Sequence, residues 1–318
     1  MKRAIMLSLA LSIAVCLILL ALYPEADDFR LGNTFWNGMS EAGSLLNPTV
    51  LNSFSDLPVS GHNLTLLLIG PERDFTVDEA EAIARFINSG GQVILADELG
   101  FGNTLLEKLN LPLRIDGGLV LDPLFKEKNA RLPRARYVST QQEVILNYAS
   151  IIRGCSEPIV QTTSYSYLDR NMNGEWDGGE EKGPFTVGCI VRLGRGELVV
   201  FSDSSIFINS MSKLGSNRRL LLDIVGDRRA ILDTTHWSQT LLTTAKGFVV
   251  QALGIFSGLE ARYALIISAL ILVAKFMPVD RKRVKRGEME EKIEEVLKLN
   301  PSWNRTVLEK LAEEIRSG

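Results

Sequence analysis

LTLLLIGPERDFTVDEAEAIARFINSGGQVILADE, residues 64–98, is the stretch that decides the fold. Leu64 to Ile69 form a nearly unbroken apolar run that stops at Gly70-Pro71. Such runs suit strands covered on both faces, as in parallel sheets. Thr76 and Glu79 stand three apart, the spacing of a helix capping box. Ala80, Ala82, Ile83, Phe86 and Ile87 then recur at helical spacing, and Gly90-Gly91 ends the helix. Gln92 to Ala96 is a second apolar strand, closed by Asp97-Glu98. Strand, helix, strand in this order predicts a parallel α/β unit.

Working outward, residues 33–46 read as a loop and a short helix, and Asn103 to Leu109 as another short helix. Segments 157–168 and 184–193 read as strands around a polar loop. After Gly194-Arg195-Gly196, Glu197 to Phe201 is a strong strand that ends at Ser202-Asp203-Ser204, with helices near 205–212 and 217–225. The expected domain, 25–235, is an open, mostly parallel α/β sheet with a β-hairpin inserted late. From Leu241 an amphipathic stalk helix is expected within 236–258, its apolar face made by Leu241, Leu242, Ala245, Phe248, Val249, Ala252, Leu253 and Phe256. The tail, 279–318, carries two helical stripes: Met289, Ile293, Val296 and Leu297, then Trp303, Val307, Leu311 and Ile315. Helices this short need a second surface, which is each other, a bilayer or a partner protein.

The chain ends suggest a membrane. Ala4 to Tyr23 carry no charge and follow Lys2-Arg3, while Leu259 to Met277 precede Arg281, Lys282, Arg283, Lys285 and Arg286. About 20 apolar residues cross a bilayer, and basic flanks stay cytoplasmic. The expectation is a two-pass protein with a signal anchor at 1–24 and a second transmembrane helix at 259–278. Both termini would be cytoplasmic and the main domain extracytoplasmic. A net charge of −3 over 318 residues argues against a nucleic-acid partner. Cys155 and Cys189 are either a disulfide or two small buried residues, and sequence leaves both open. Asn63-Leu64-Thr65 is a glycosylation sequon, but it adjoins a buried strand.

Asp169-Arg170-Asn171-Met172-Asn173-Gly174-Glu175-Trp176-Asp177-Gly178-Gly179-Glu180 matches the EF-hand calcium-loop pattern at every specified position. Calcium takes six to eight oxygens. Asp169, Asn171, Asn173, Asp177 and Glu180 would supply side chains, and Glu175 a carbonyl. The flanks read as strands, so the expectation is a structural calcium clip on a hairpin rather than an EF-hand fold. The competing reading is a polar hairpin, since Asp, Asn and Gly dominate turns anyway.

Catalytic patterns are scarce. His62 and His236 are the only histidines, too few for an ordinary zinc site. No G-x-S-x-G, P-loop or G-x-G-x-x-G occurs. Ligands of open α/β sheets sit at the carboxyl ends of strands. Here Asp97, Glu98, Asp203 and Ser204 are the ligand-binding candidates there, with helix capping as the plainer role for the two aspartates. Asp233-Thr234-Thr235-His236 offers an acid–histidine pair against the simpler reading of a polar loop.

Phe75 to Ala80, Phe86 to Gly91 with the strand to Asp97, Gly100-Phe101-Gly102-Asn103 with Leu105-Leu106, and Gly194 to Val200 running to Asp203, Asn209 and Asn217 resemble the class I glutamine amidotransferase-like fold. More narrowly, the chain resembles uncharacterised membrane-anchored proteins with a domain of unknown function of that fold. The resemblance implies a flavodoxin-like sheet and, through gene context, MoxR-type AAA ATPase partners, for which the tail would be the docking element. Amidotransferases place a nucleophilic Cys on the turn after a central strand. The matching turn, Asp97-Glu98-Leu99-Gly100, has none, so a pseudoenzyme is implied. The functional expectation is a non-catalytic ligand- or protein-binding module. The alternatives are a carboxylate-dependent hydrolase of cell-surface glycan or peptide, and a calcium-clipped structural envelope protein.

Overall fold

The computed structural model describes residues 2–255, 263, 267–268, 271 and 281–317. The chain divides into two compact units, Met1–Val249 and Val250–Gly318. The first begins with helix α1 (Lys2–Leu22) and contains the sheet.

The strands are β1 (Thr49–Leu51), β2 (Leu64–Ile69), β3 (Gln92–Ala96), β4 (Arg114–Asp116), β5 (Leu119–Leu121), β6 (Arg134–Tyr137), β7 (Glu143–Ile145), β8 (Ile151–Arg153), β9 (Pro158–Thr162), β10 (Tyr167–Asp169), β11 (Thr186–Leu193), β12 (Gly196–Phe201) and β13 (Arg229–Asp233). Nine of them make one sheet in the order β1-β13-β2-β3-β12-β11-β9-β6-β7. The first four pairings are parallel. The remaining four are antiparallel. The sheet is therefore mixed, not mostly parallel as the 64–98 stretch suggests. The late β-strands are not a separate inserted hairpin either. β11 turns back through Gly194, at φ +58, and pairs along β12, so the antiparallel strands extend the same sheet. Two small pairs, β5 with β10 and β4 with β8, lie outside it.

Helices α2 (Ser40–Leu46), α3 (Val77–Asn88), α4 (Asn103–Lys108), α5 (Asn209–Ser212) and α6 (Asn217–Val225) cover the parallel strands. Strand residues alternate between the two faces. Leu67, Ile69, Ile94, Val199 and Phe201 pack with Leu220, Leu221 and Ile224 of α6. Leu66, Leu68, Val93, Leu95, Leu198 and Val200 pack with Ile83, Phe86 and Ile87 of α3 and with Leu105 and Leu106 of α4. Burial on both faces is why β2 and β3 have no polar face to show, and each such side chain contributes roughly 1.5–3 kcal/mol. Both halves of the α3 capping box are made: Thr76 Oγ1 accepts from the Glu79 amide, and the Glu79 carboxylate accepts from the Thr76 amide. The sequon threonine, Thr65, is buried and donates to Gln92 Oε1.

The membrane expectation is corrected. Among the described residues no helix is long and apolar enough to cross a membrane. α1 starts on a basic pair and carries Ser8 and Ser12, whose hydroxyls fold back onto the carbonyls of Ile5 and Ser8. The span expected at Leu259 to Met277 lies outside the described residues apart from Tyr263, Ile267, Ser268 and Ile271. The two-pass arrangement with an extracytoplasmic domain therefore has no support. Helix α7 (Leu241–Ile255) follows the domain, with Leu241 and Phe248 exposed. In the second unit, helices Arg281–Leu299 and Arg305–Ser317 pack on each other, Ile293 is buried, and Trp303, Val307 and Leu311 remain exposed.

Candidate functional site

Three neighbouring strands, β2, β3 and β12, deliver their carboxyl ends to one side of the sheet. The chain leaves β2 at Gly70, β3 at Asp97 and β12 at Ser202. A cleft of about 200 Å³ opens there, walled by Glu72, Glu98, Leu99, Asn147 and Ser204 and by the loop that carries Phe29 and Trp36. Gly70 adopts φ +54, and a Cβ at this position would stand 2.4 Å from the Phe29 ring. Only glycine lets that ring lie over the strand end. The loop is held by amides: Asn209 Nδ2 donates to the carbonyls of Asn33 and Phe35, at 3.0 and 2.6 Å. Asn33 Nδ2 donates in turn to Asn37 Oδ1.

Three of the four ligand-binding candidates, Asp97, Glu98 and Ser204, line this cleft, and all four are hydrogen-bonded within the chain itself. Asp97 is buried, and its carboxylate accepts from the amides of Leu99, Gly100 and Gly102, the last at 2.6 Å. Burial pushes the Asp97 carboxyl above its ordinary range, against the pull of those amides. Asp203 is fully buried and does not line the cleft. Its Oδ2 accepts from the Asn147 amide at 2.6 Å, and its Oδ1 from the Ser205 hydroxyl at 2.8 Å. Burial first, and then the neighbouring Glu98 charge, push its carboxyl up to about 7. Glu98 faces the cleft. Its Oε2 accepts from the Ser204 amide at 2.8 Å and from the Ser204 hydroxyl at 2.5 Å. Neither aspartate caps the helix that follows it: Asp97 ties down the loop from Leu99 to Gly102 ahead of α4, and Asp203 holds the Asn147 amide and the Ser205 hydroxyl.

Asp233 and His236 do form a pair, deep at the end of β13. His236 Nδ1 lies 2.5 Å from Asp233 Oδ2, and Nε2 lies 3.5 Å from Glu79 Oε2. The imidazole stacks on Phe75 at 3.9 Å. Arg73 holds Glu79 at 2.6 Å. His236 is 2 % exposed and lines no described pocket, so the cluster ties β13 to the start of α3 rather than facing a substrate.

The calcium expectation is corrected as well. Among the described residues no group of three or more His, Cys, Asp or Glu side chains is placed to hold a metal ion. The loop closes on itself instead. Asn171 Nδ2 and Asn173 Nδ2 both donate to Asp177 Oδ2. Glu180 accepts from the amides of Arg170 and Asp177, and Asp169 Oδ2 from Gly174. The oxygens of Asn171 and Asn173 accept backbone amides within the turn, and the Asp169 Oδ1 atom is buried without a partner. The open question of the cysteines resolves as a disulfide: Cys155 and Cys189 are bridged, with Cα atoms 6.0 Å apart.

The match to "Domain of unknown function (DUF4350)" covers residues 33–225, which hold eight of the nine strands of the large sheet, its covering helices and most of the cleft lining; β13, Asp28 and Phe29 fall outside it. The chain belongs to that family. No relative with a curated description matches it. Among solved structures, the mmIFT52 N-terminal domain shares 14% identity over 54% of this chain and 78% of that one, with a TM-score of 0.40. "Gan42B, a GH42 beta-galactosidase from G." shares 12% over 53% of this chain and 22% of that one, with a TM-score of 0.28.

Trp36, Phe29 and Asn147 were absent from the sequence-level candidates. Each reaches the cleft from a segment without periodicity, and the hydrogen bonds of Asn33, Asn37 and Asn209 that order the loop of Phe29 and Trp36 have no sequence pattern to announce them.

Proposed function

We propose that this family member is a non-catalytic binding module whose ligand enters the cleft at the carboxyl ends of β2, β3 and β12. The observation that carries the reading is the commitment of the carboxylates. Asp97 and Asp203 are tied to the chain's own amides, and Glu98 is tied to Ser204. A hydrolase needs one carboxyl free to give a proton and another free to receive one, both within reach of the substrate. Asp203 has the raised pKa of a general acid, yet it has no surface in the cleft. Among the described residues no Cys or His lines the cleft to act as a nucleophile or its base.

Trp36 is 69% exposed and lines the cleft together with Asp28 and Glu72. An exposed indole in a cleft with two carboxylates favours a ligand with a cationic group, through cation–π attraction and charge. The test is tryptophan fluorescence during titration with a panel of organic amines and polyamines. The expected outcome is a saturable change that Trp36→Ala abolishes and Glu98→Gln weakens about tenfold. Turnover of a glycan or peptide by the purified chain, lost in Glu98→Gln, would replace this reading with the hydrolase.

A further inference from the structure

A second cleft lies on the antiparallel half of the sheet, away from the strand ends. It has a volume of about 590 Å³ and is walled by Arg134, Arg136, Gln141, Glu143 and Gln161, with Phe125 and Tyr165 at its rim. Arg136 pairs across the sheet with Gln161 on one side and Glu143 on the other, so these side chains share one solvated face. The rim is aromatic and exposed: Phe125 is 46% and Tyr165 57% accessible, with ring centroids 5.6 Å apart.

Tyr165 and Ser164 also border a smaller depression of about 220 Å³, lined further by Tyr167, Trp176 and Lys182, whose Nζ lies 4.9 Å from the indole centre. The two depressions share Ser164 and Tyr165, and their linings together hold aromatic rings, amides and hydroxyls. Exposed aromatic surface of this extent on a half-polar sheet marks a contact surface.

The charges narrow the ligand. Arg134 is held by Glu127 at 2.8 Å and by Glu143 at 2.6 Å. Arg136 donates only to Gln141 Oε1, at 3.2 Å, and among the described residues it has no ion pair. One free guanidinium is a site for a single carboxylate, since its donors match the two oxygens. A nucleic acid would bring a phosphate at every residue, and Glu143 within the cleft opposes that. Lys182, at the second depression, lies over the Trp176 ring, which leaves Arg136, among the described residues, as the unpaired cation lining the cleft with Phe125 and Tyr165. Ring faces, amides and hydroxyls around that arginine suit a chain of sugars carrying an occasional carboxylate.

We propose that this surface binds an oligosaccharide containing a uronic acid, with Phe125 and Tyr165 stacking on sugar faces and Arg136 taking the carboxylate. The site is independent of the strand-end cleft. The test is calorimetry of the full chain with glucuronosyl-xylotriose, a tetrasaccharide with one carboxylate, with the neutral xylotetraose and with an oligothymidylate of similar length. Glucuronosyl-xylotriose is expected to bind at least tenfold more tightly than xylotetraose. Tyr165→Ala and Phe125→Ala are each expected to weaken it about tenfold. Arg136→Gln is expected to remove the preference for the uronate. All three side chains are exposed, and unchanged melting of the variants would confirm intact folding. No binding of either sugar overturns the proposal. So does uronate binding that survives Tyr165→Ala and Phe125→Ala, or oligothymidylate bound more tightly than glucuronosyl-xylotriose.

Discussion

The two halves of the sheet obey different rules. On the parallel side, β2, β3 and β12 are sandwiched between helices, and every residue of β2 and β3 is buried. On the antiparallel side, β6 alternates: Ala135 is buried while Arg136 is exposed. One half is a core element whose tolerance is set by packing. The other is a surface whose outward residues are free to meet something else. Both clefts follow from that division. The first sits where buried strands end, and the second lies across the face that no helix covers.

The sharpest way to break the comparison is paired truncation. Ile94→Ala removes a fully buried side chain between α6 and its neighbours in the sheet, and should destabilise by about 3–4 kcal/mol through lost transfer energy and the cavity left behind. Arg136→Ala, on the exposed face, should stay within about 0.5 kcal/mol. Urea unfolding of both variants measures the contrast. Equal losses would mean that the antiparallel face is packed against something after all.

The disulfide sharpens it next. Cys189 lies in β11, the first antiparallel strand, and Cys155 follows β8, so the bridge fastens the less buried half. It closes a separation of 34 residues. Restricting the unfolded chain over that length is worth about 3–4 kcal/mol in the loop-entropy account, with strain able to reduce it. The Cys155→Ala/Cys189→Ala double variant should therefore lose about 3 kcal/mol of stability. Hydrogen exchange should then rise first in β9 and β11, while β2 and β3 keep their protection. Uniform loss across the sheet would show that the two halves unfold as one.

How much of this was legible follows the same line. Leu64–Ile69 and Gln92–Ala96 announce themselves because burial on both faces leaves an unbroken apolar run. The five strands between Arg114 and Arg153 span three or four residues each, too few for alternation to register, so the extent of the antiparallel half was hidden. Asp97, Glu98, Asp203 and Ser204 were found by the rule that open sheets bind ligands at strand ends. That rule names positions, not partners, so it did not reveal that the aspartates face inward onto amides. The loop from Asp169 to Glu180 shows the opposite limit. Its residue types match a calcium loop, but turn-forming Asp, Asn and Gly satisfy one another equally well when Asn171 and Asn173 reach Asp177.

The last contrast is a difference in pH response between two carboxyls of the parallel half. Burial raises the Glu79 carboxyl, but the Arg73 guanidinium, the Thr76 amide and His236 outweigh it and hold the group at about 2, against an ordinary value of 4.5. A depressed carboxyl stabilises the fold above its unfolded value and loses that contribution as pH falls toward 2. Asp203 runs the other way. Its folded value of about 7 exceeds the ordinary 3.8, so the folded state holds a proton that the unfolded chain releases between those pH values. Its contribution therefore weakens as pH rises from about 4 to 7, then stays unfavourable. Melting temperature followed from pH 2 to 8 should fall at the acid end in the parent and less steeply in Glu79→Gln. Between pH 4 and 7, Asp203→Asn should flatten that downward slope, since the proton linkage that produces it is removed. If Asp203→Asn left that middle window unchanged, the Asp203 carboxyl would be ionised at neutral pH, and water would have to reach the floor of the strand-end cleft.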